Sequence, residues 1–202
     1  MSNYLETYNQ HLLISTDPAK LDVDIIYHFL SKESYWAQGI SRDVAERSLM
    51  DSICFGLYDG NRQIGFARVI SDTATFAYLA DVFILTQYRG KGLSKWLMKT
   101  IHEHPELQNL RRWWLGTKYA HGLYEQFGWT RITDDAARRF MQLHNPDVYK
   151  KGSIDHQSLL VILCEDYTSS KILSYIQLRI GGKKNSRLRN DLRGIAEQIL
   201  AI

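Results

Sequence analysis

Cysteine and proline are scarce in this chain, and long apolar runs are missing. Only two cysteines, Cys54 and Cys164, occur in 202 residues, each inside a short apolar stretch (ICFGL and VILCE). Neither a CxxC pair nor a Cys/His ligand spacing is present, which excludes a disulfide scaffold or structural zinc as the organising device. A chain of this length needs neither, because it buries roughly 70% of its unfolded surface. The longest apolar run, LLVILC at 159–164, falls far short of the ~20 residues that cross a bilayer. The opening MSNYLETYNQ carries no basic stretch followed by an apolar one, so a signal peptide is not expected. These absences set the expectation of a reduced, cytoplasmic compartment with no membrane partner and no metal.

What is present is ordinary for a globular chain: 45% apolar residues, 23% charged residues and a net charge of +3. The charge is unevenly spread. Seven of the 25 basic residues but only two of the 22 acidic ones fall in 171–202, which leaves the preceding body slightly acidic. The body therefore has no basic character suited to nucleic acid, and only the tail could act as an arm for it.

Because proline is rare, element boundaries rest on glycine and on periodicity. HLLIST (11–16) reads as a first strand, stopped by Asp17-Pro18. LDVDIIYHFL (21–30) places Leu21, Ile25 and Phe29 on one helical face. Ser41 is the expected N-cap of a second helix, RDVAERSLM. ICFGLYD (53–59) and RQIGFARVI (62–70) flank Asp59-Gly60-Asn61, a hairpin signal, and TFAYLADVFIL (75–85) extends them into a meander. A helix follows at 92–104 with Leu93, Trp96, Leu97 and Ile101 on one face. Then come a strand at 110–117, a short helix at 120–128, and an expected closing hairpin of WTRIT with RFMQLH. The fold class is α/β, a mixed and mostly antiparallel sheet flanked by helices. The domain spans 1–150, and 151–202 form a C-terminal extension of unknown role. In it, Leu188, Leu192, Ile195, Ile199 and Ile202 make a narrow helical stripe suited to packing on the body or in a homodimer. KILSYIQLRI (171–180) fits either period.

The most informative segment is ADVFILTQYRGKGLSKWLMKTI. A strand runs into Gln87-Tyr88-Arg89-Gly90-Lys91-Gly92, and a helix starts there. Two glycines let a ligand approach the backbone, and the helix N-terminus offers free N–H groups with a partial positive charge. That suits an anion such as a pyrophosphate, with Arg89 and Lys91 adding charge and Ser94 a hydroxyl. A dinucleotide fingerprint would need a third glycine where Lys95 stands, and a Walker loop is absent. A purely structural glycine turn is the plain alternative.

The loop matches the Q/R-x-x-G-x-G/A pattern of the GNAT acyl-CoA N-acyltransferases at Gln87, Gly90 and Gly92. Leu123, Tyr124, Glu125 and Gly128 match that family's LYE-x-x-GF segment, with Trp129 for Phe. The expected element order follows the family's from His11 to His144. The chain thus resembles a GNAT N-acetyltransferase over about 140 residues.

The resemblance implies an acetyl-CoA donor and an amine acceptor, either a small molecule or a protein amine. The amine attacks the thioester directly, so the site must fix the thioester, stabilise an oxyanion and protonate the departing thiolate. Carried over, Val82, Phe83, Ile84 and Leu85 pair with the pantetheine arm, and an N–H near Val82 faces the thioester carbonyl. Gln87, Tyr88, Arg89, Gly90, Lys91, Gly92, Leu93 and Ser94 hold the pyrophosphate, and Tyr124 is the acid. A phenol, with a reference pKa of ~10, is protonated at neutral pH.

No base stands out. Asp81 is expected to alternate away from Val82 and Ile84 and to be structural. His121 could relay a proton, and His102 and His104 are expected at the surface. Tyr35 and Trp36 offer either an aromatic wall for the acceptor or a core cluster. Thr86, Lys95 and Tyr119 depart from the family's usual residues. A catalytically silent CoA-binding or protein-interaction module is the other reading.

Overall fold

The computed structural model describes residues 4–149. The extension, with its stripe from Leu188 to Ile202, lies outside the described residues. Six strands form one sheet in chain order: β1 (Glu6–Asn9), β2 (Leu12–Ser15), β3 (Ile53–Asp59), β4 (Arg62–Ser71), β5 (Phe76–Ile84) and β6 (Arg112–Leu115). Neighbours are antiparallel except β5 and β6, which run parallel. That last pair requires a crossover, and the helix α3 (Leu93–His102) provides it. No described helix is long and apolar enough to cross a membrane.

Alternation along the central strands divides the core in two. Phe55, Leu57, Ala67, Val69, Ala77 and Leu79 point to one face, where α3 lays Leu97, Met98 and Ile101 against them. Cys54, Phe66 and Phe83 point to the other face. There they meet Ile26 of α1 (Val23–His28), Ala45 of α2 (Arg42–Met50), and Phe29 and Leu30. Phe29 stacks on Phe83 at 3.9 Å between ring centroids. Both helices begin at side-chain caps: Asp22 accepts from the Ile25 N–H at 3.0 Å, and Ser41 accepts from the Val44 N–H at 3.4 Å. A single π-helical turn, Phe29–Glu33, continues α1 and delivers the chain to Tyr35 and Trp36.

Three expectations need correction. First, β1 precedes the expected first strand. It is polar (ETYN) and joins β2 through a two-residue turn whose Gln10 has φ 56°, so no glycine announces it. Second, the closing hairpin is absent among the described residues. Residues 129–133 are irregular, and Asp134–Ala137 form a one-turn helix, α5. The local sequence TDDAAR satisfies itself by helical bonds, Ala137 N–H to Thr133 O and Arg139 N–H to Ala136 O, which outweigh the alternation of WTRIT. Phe140 still packs on the Trp114 ring of β6 at 4.4 Å.

Third, His102 and His104 are not surface residues. α3 ends at His102, and the chain turns inward so that His104 is 7% exposed, edge-on to Phe55. The His104 Nδ1 accepts from the Glu106 N–H at 3.3 Å. The His102 Nε2 accepts from the Trp129 indole N–H at 3.0 Å, and its ring lies among Trp113, Phe127 and Trp129. Both acceptor roles require the neutral imidazole.

Burial pushes both imidazoles below their ordinary value of 6.5. A base with a depressed folded pKa stabilises the fold above its unfolded pKa, and that stability is lost as pH falls through the folded value. The melting temperature should therefore drop on acidification from about pH 6.5. The double variant His102→Gln/His104→Asn keeps both acceptors without a titrating group. In melts between pH 7.5 and 5, it should lose at least half of that acid slope.

Candidate active site

β5 is the element that builds the site. Its register with β4 pairs Phe66 with Phe83 and Arg68 with Ala80, so Ala67 alone stands opposite both Asp81 and Val82. This is a β-bulge, and Asp81 takes the left-handed φ of 54° that it requires. On its other side, β5 pairs with β6 only from Phe76 to Leu79, yet the strand continues to Ile84. Among the described residues, no strand lies beside residues 80–84, so this edge offers backbone groups, apart from the Ile84 carbonyl, that can pair with an extended ligand.

That edge runs directly into the glycine loop. Gly90 and Gly92 both have positive φ, 78° and 75°, which favours glycine, and a Cβ on either would meet nothing within 4 Å. The loop's approach face is thus open. Gly92 is the N-cap of α3; it offers no side-chain cap, so the first N–H groups of the helix are left for a ligand. The Arg89 Nε donates to the Ile84 carbonyl at 2.9 Å, which ties the loop to the strand end. Lys91 lies over the Tyr88 ring at 5.3 Å.

At the other end of the open edge is a cavity of about 360 Å³. Val82 and Tyr124 both line it. Tyr124 belongs to α4 (His121–Glu125) and is 8% exposed. Burial, with a smaller contribution from Tyr35, pushes its phenol up to about 12. Among the described residues, none makes a hydrogen bond to this hydroxyl, so its proton is available to a ligand. His121 lines the neighbouring groove with Tyr124 rather than this cavity.

Several expected residues are not available as side chains. Phe83, Ile84 and Leu93 are buried in the core, at 4%, 7% and 7% exposure, so only their backbones can face a ligand. Leu85 is half-buried, and its N–H donates to the Ile64 carbonyl at 2.9 Å. Gln87 and Lys91 are exposed, while Tyr88 and Ser94 are half-buried. None of residues 87–94 lines the Tyr124 cavity, so the glycine loop and Tyr124 stand apart along β5.

Asp81 turns away from Val82, as alternation leads one to expect, and is held by structural bonds. Its side chain does lie on the face opposite Val82, beside Arg68, but both residues line the same cavity. The Arg68 Nε donates to the Asp81 Oδ2 at 2.8 Å, and the Trp36 indole N–H donates to Oδ1 at 2.9 Å. Arg68 also reaches the Ser48 carbonyl and the Ser52 hydroxyl. The available signal was an aspartate in the middle of an apolar strand, a residue type that tolerates positive φ.

The geometry agrees with what the chain resembles. The domain model described as "Acetyltransferase (GNAT) domain" matches residues 50–131. A solved structure of a GNAT-family protein from Xanthomonas campestris pv. campestris, an inferred acetyltransferase, is 43% identical. It superposes with a TM-score of 0.67 over 71% of this chain and 100% of its own. An inferred acetyltransferase from Gibberella zeae is 37% identical over 110 residues, which is 45% of this chain. The chain covers 62% of that relative's length. A Deinococcus radiodurans structure, at 18% identity and a TM-score of 0.55 over 72% of this chain and 96% of its own, shares the fold.

The Asp81–Arg68 pair is nearly dry, with side-chain exposures of 9% and 14%. Arg68→Met would strand a buried carboxylate and should cost about 3–5 kcal/mol. Adding Asp81→Asn, which keeps a side chain suited to positive φ, should recover at least ~1 kcal/mol of that loss. Urea melts of the single and double variants read both numbers.

Proposed function

Because the chain belongs to the GNAT acetyltransferase family, we propose that it transfers an acetyl group from acetyl-CoA to an amine. The observation that carries this is the continuous track along β5. A free backbone edge at 80–84 leads from the open Gly90–Gly92 loop at one end to the Tyr124 cavity at the other. A long ligand with a doubly charged middle and an amide-bearing arm matches it in order.

In this reading the α3 N-terminus and the loop N–H groups hold the pyrophosphate, helped by Lys91 and Gln87. The β5 edge pairs with the pantetheine amides. The bulge frees a backbone N–H near Val82 to polarise the thioester carbonyl and to stabilise the oxyanion as it forms. The amine attacks that carbonyl carbon, the C–S bond breaks, and Tyr124 gives its proton to the sulfur. A pKa of about 12 keeps the phenol protonated throughout the physiological range. Asp81 is committed to Trp36 and Arg68, so we assign it no proton transfer. A cytoplasmic setting, where acetyl-CoA is made and consumed, fits this activity, and residues 151–202 are best treated as a separate extension.

Two variants test the two ends of the track. Tyr124→Phe keeps the ring and removes the proton, so kcat should fall by roughly 10²–10⁴ while the Kd for acetyl-CoA stays within about threefold. Unchanged turnover would place the acid elsewhere, and no turnover by the wild type on any amine would favour a silent CoA-binding module. Gly92→Val forces a β-branched residue into positive φ, which costs about 1–2 kcal/mol locally and disturbs the loop. Calorimetry should show CoA binding weakened by about tenfold or more. Gly60→Asn, a change at a left-handed position in the β3–β4 turn, should leave CoA binding unaltered.

A further inference from the structure

The mouth of the Tyr124 cavity carries an aromatic rim that the acetyl-donor track does not use. Tyr35, Trp36 and Tyr119 are 50%, 41% and 74% exposed, a large apolar area to leave in water. Their rings meet edge-on, Tyr35 with Trp36 at 5.0 Å and Tyr35 with Tyr119 at 5.5 Å. The two loops that bear them are tied together, since the Lys118 N–H donates to the Tyr35 hydroxyl at 2.7 Å. The Trp36 indole is fixed from below by Asp81 at 2.9 Å. The rim is therefore built and held, not a chance cluster. Tyr78 and Tyr124 continue it inward along the cavity wall.

Charge decides what the rim receives. Among the described residues lining this cavity, the charged ones are Arg68 and Asp81, and each is spent on the other. An acceptor with several positive charges finds no uncommitted carboxylate here, and one with a negative charge finds no uncommitted cation. Lys118, whose ammonium lies over the outer ring of Tyr119 at 5.1 Å, adds repulsion for polycations at the rim. The same contact shows that these ring faces accept an ammonium group. A volume of about 360 Å³ is at the small end for ligand pockets, and the acetyl group must share it.

We infer that the acceptor is a small monoamine on an uncharged, apolar or aromatic body, held by the Tyr35–Trp36–Tyr119 rim above the Asp81–Arg68 pair. This deepens the acetyl-transfer reading and rests on it. Trp36 sets specificity for the acceptor by ring contact and takes no part in proton movement. Polyamines, aminoglycosides and lysine side chains of peptides are poor acceptors.

The test uses the full chain and 2-phenylethylamine as the probe, with spermidine, kanamycin and a lysine-containing peptide as competitors in class. Release of CoA thiol from acetyl-CoA gives kcat/KM for each. The value for 2-phenylethylamine should exceed the other three by about tenfold or more. Trp36→Ala should raise KM for 2-phenylethylamine about tenfold, with kcat changed less than about threefold, while Trp36→Phe retains most of the affinity. Calorimetry of 2-phenylethylamine on the free and CoA-saturated protein supplies a readout that does not need turnover. Preference for a polycation or the peptide, an unchanged KM in Trp36→Ala, or no amine binding in calorimetry would each overturn the inference. Failure of acetyl-CoA itself to bind would instead overturn the acetyl-transfer reading, and Trp36-dependent amine binding would then still stand or fall separately.

Discussion

The site depends on one irregularity, the extra residue in β5 at Asp81. An uninterrupted strand would place Asp81 on the face of Ala77 and Leu79, against the apolar side of α3. The bulge instead turns its carboxylate to Arg68 and returns Val82 and Ile84 to the α3 side. It also coincides with the point where β6 leaves β5, after Leu79, so the same few residues end one ladder and distort the other. Left-handed backbone at a non-glycine residue costs of order 1–3 kcal/mol. The bonds from Arg68 and Trp36 to Asp81 offset that cost and hold the distortion in place.

This arrangement lets a rigid sheet present free backbone without a loose end. β5 is locked by β4 on one side, and its own Phe83 packs on Phe29 and on Phe66 of β4. Its open side is short and is closed off at either end by α4 and by the glycine loop. An edge of this kind usually invites aggregation, and its brevity beside a bulge is one of the ways proteins guard against it. In the proposed reading, the guarded edge is the part that the acetyl donor completes.

Much of the strand, glycine loop and helix at 76–102 was legible in the sequence, because it is written in backbone requirements. Gly90 and Gly92 sit between a strand and an amphipathic helix, and only a few structures need that order. The meander from Ile53 to Ile84 and the apolar face of α3 follow from strict periodicity. β1 was hidden because a polar strand with a Gln10 turn carries no punctuation. The WTRIT hairpin was misread because alternation over five residues is weaker than the backbone-bonded helical turn of TDDAAR. His104 was placed outside because spacing on a helix says nothing once the helix has ended, and His102, its last residue, because the aromatic rings that cover it come from distant residues. Asp81 was expected to turn away from Val82, and it does, but alternation could not foresee the bulge that also takes it off the face of Ala77 and Leu79.

The acceptor side was harder for a physical reason. The proposed donor recognition uses atoms that every residue has, positioned by secondary structure, so its signature survives in glycine spacing and strand length. The inferred acceptor surface uses side chains from separate loops, Tyr35 and Trp36 after α1 and Tyr119 before α4, which are 83 or more residues apart in sequence. Each of those aromatics alone reads equally well as core. Only their mutual edge-on contacts, their exposure and the cancelled charges beneath them turn three ordinary residues into a surface with a chemical preference. In the proposed reading the fold thus separates two problems: the donor is held by backbone on the sheet, and the acceptor is chosen by side chains on loops outside it.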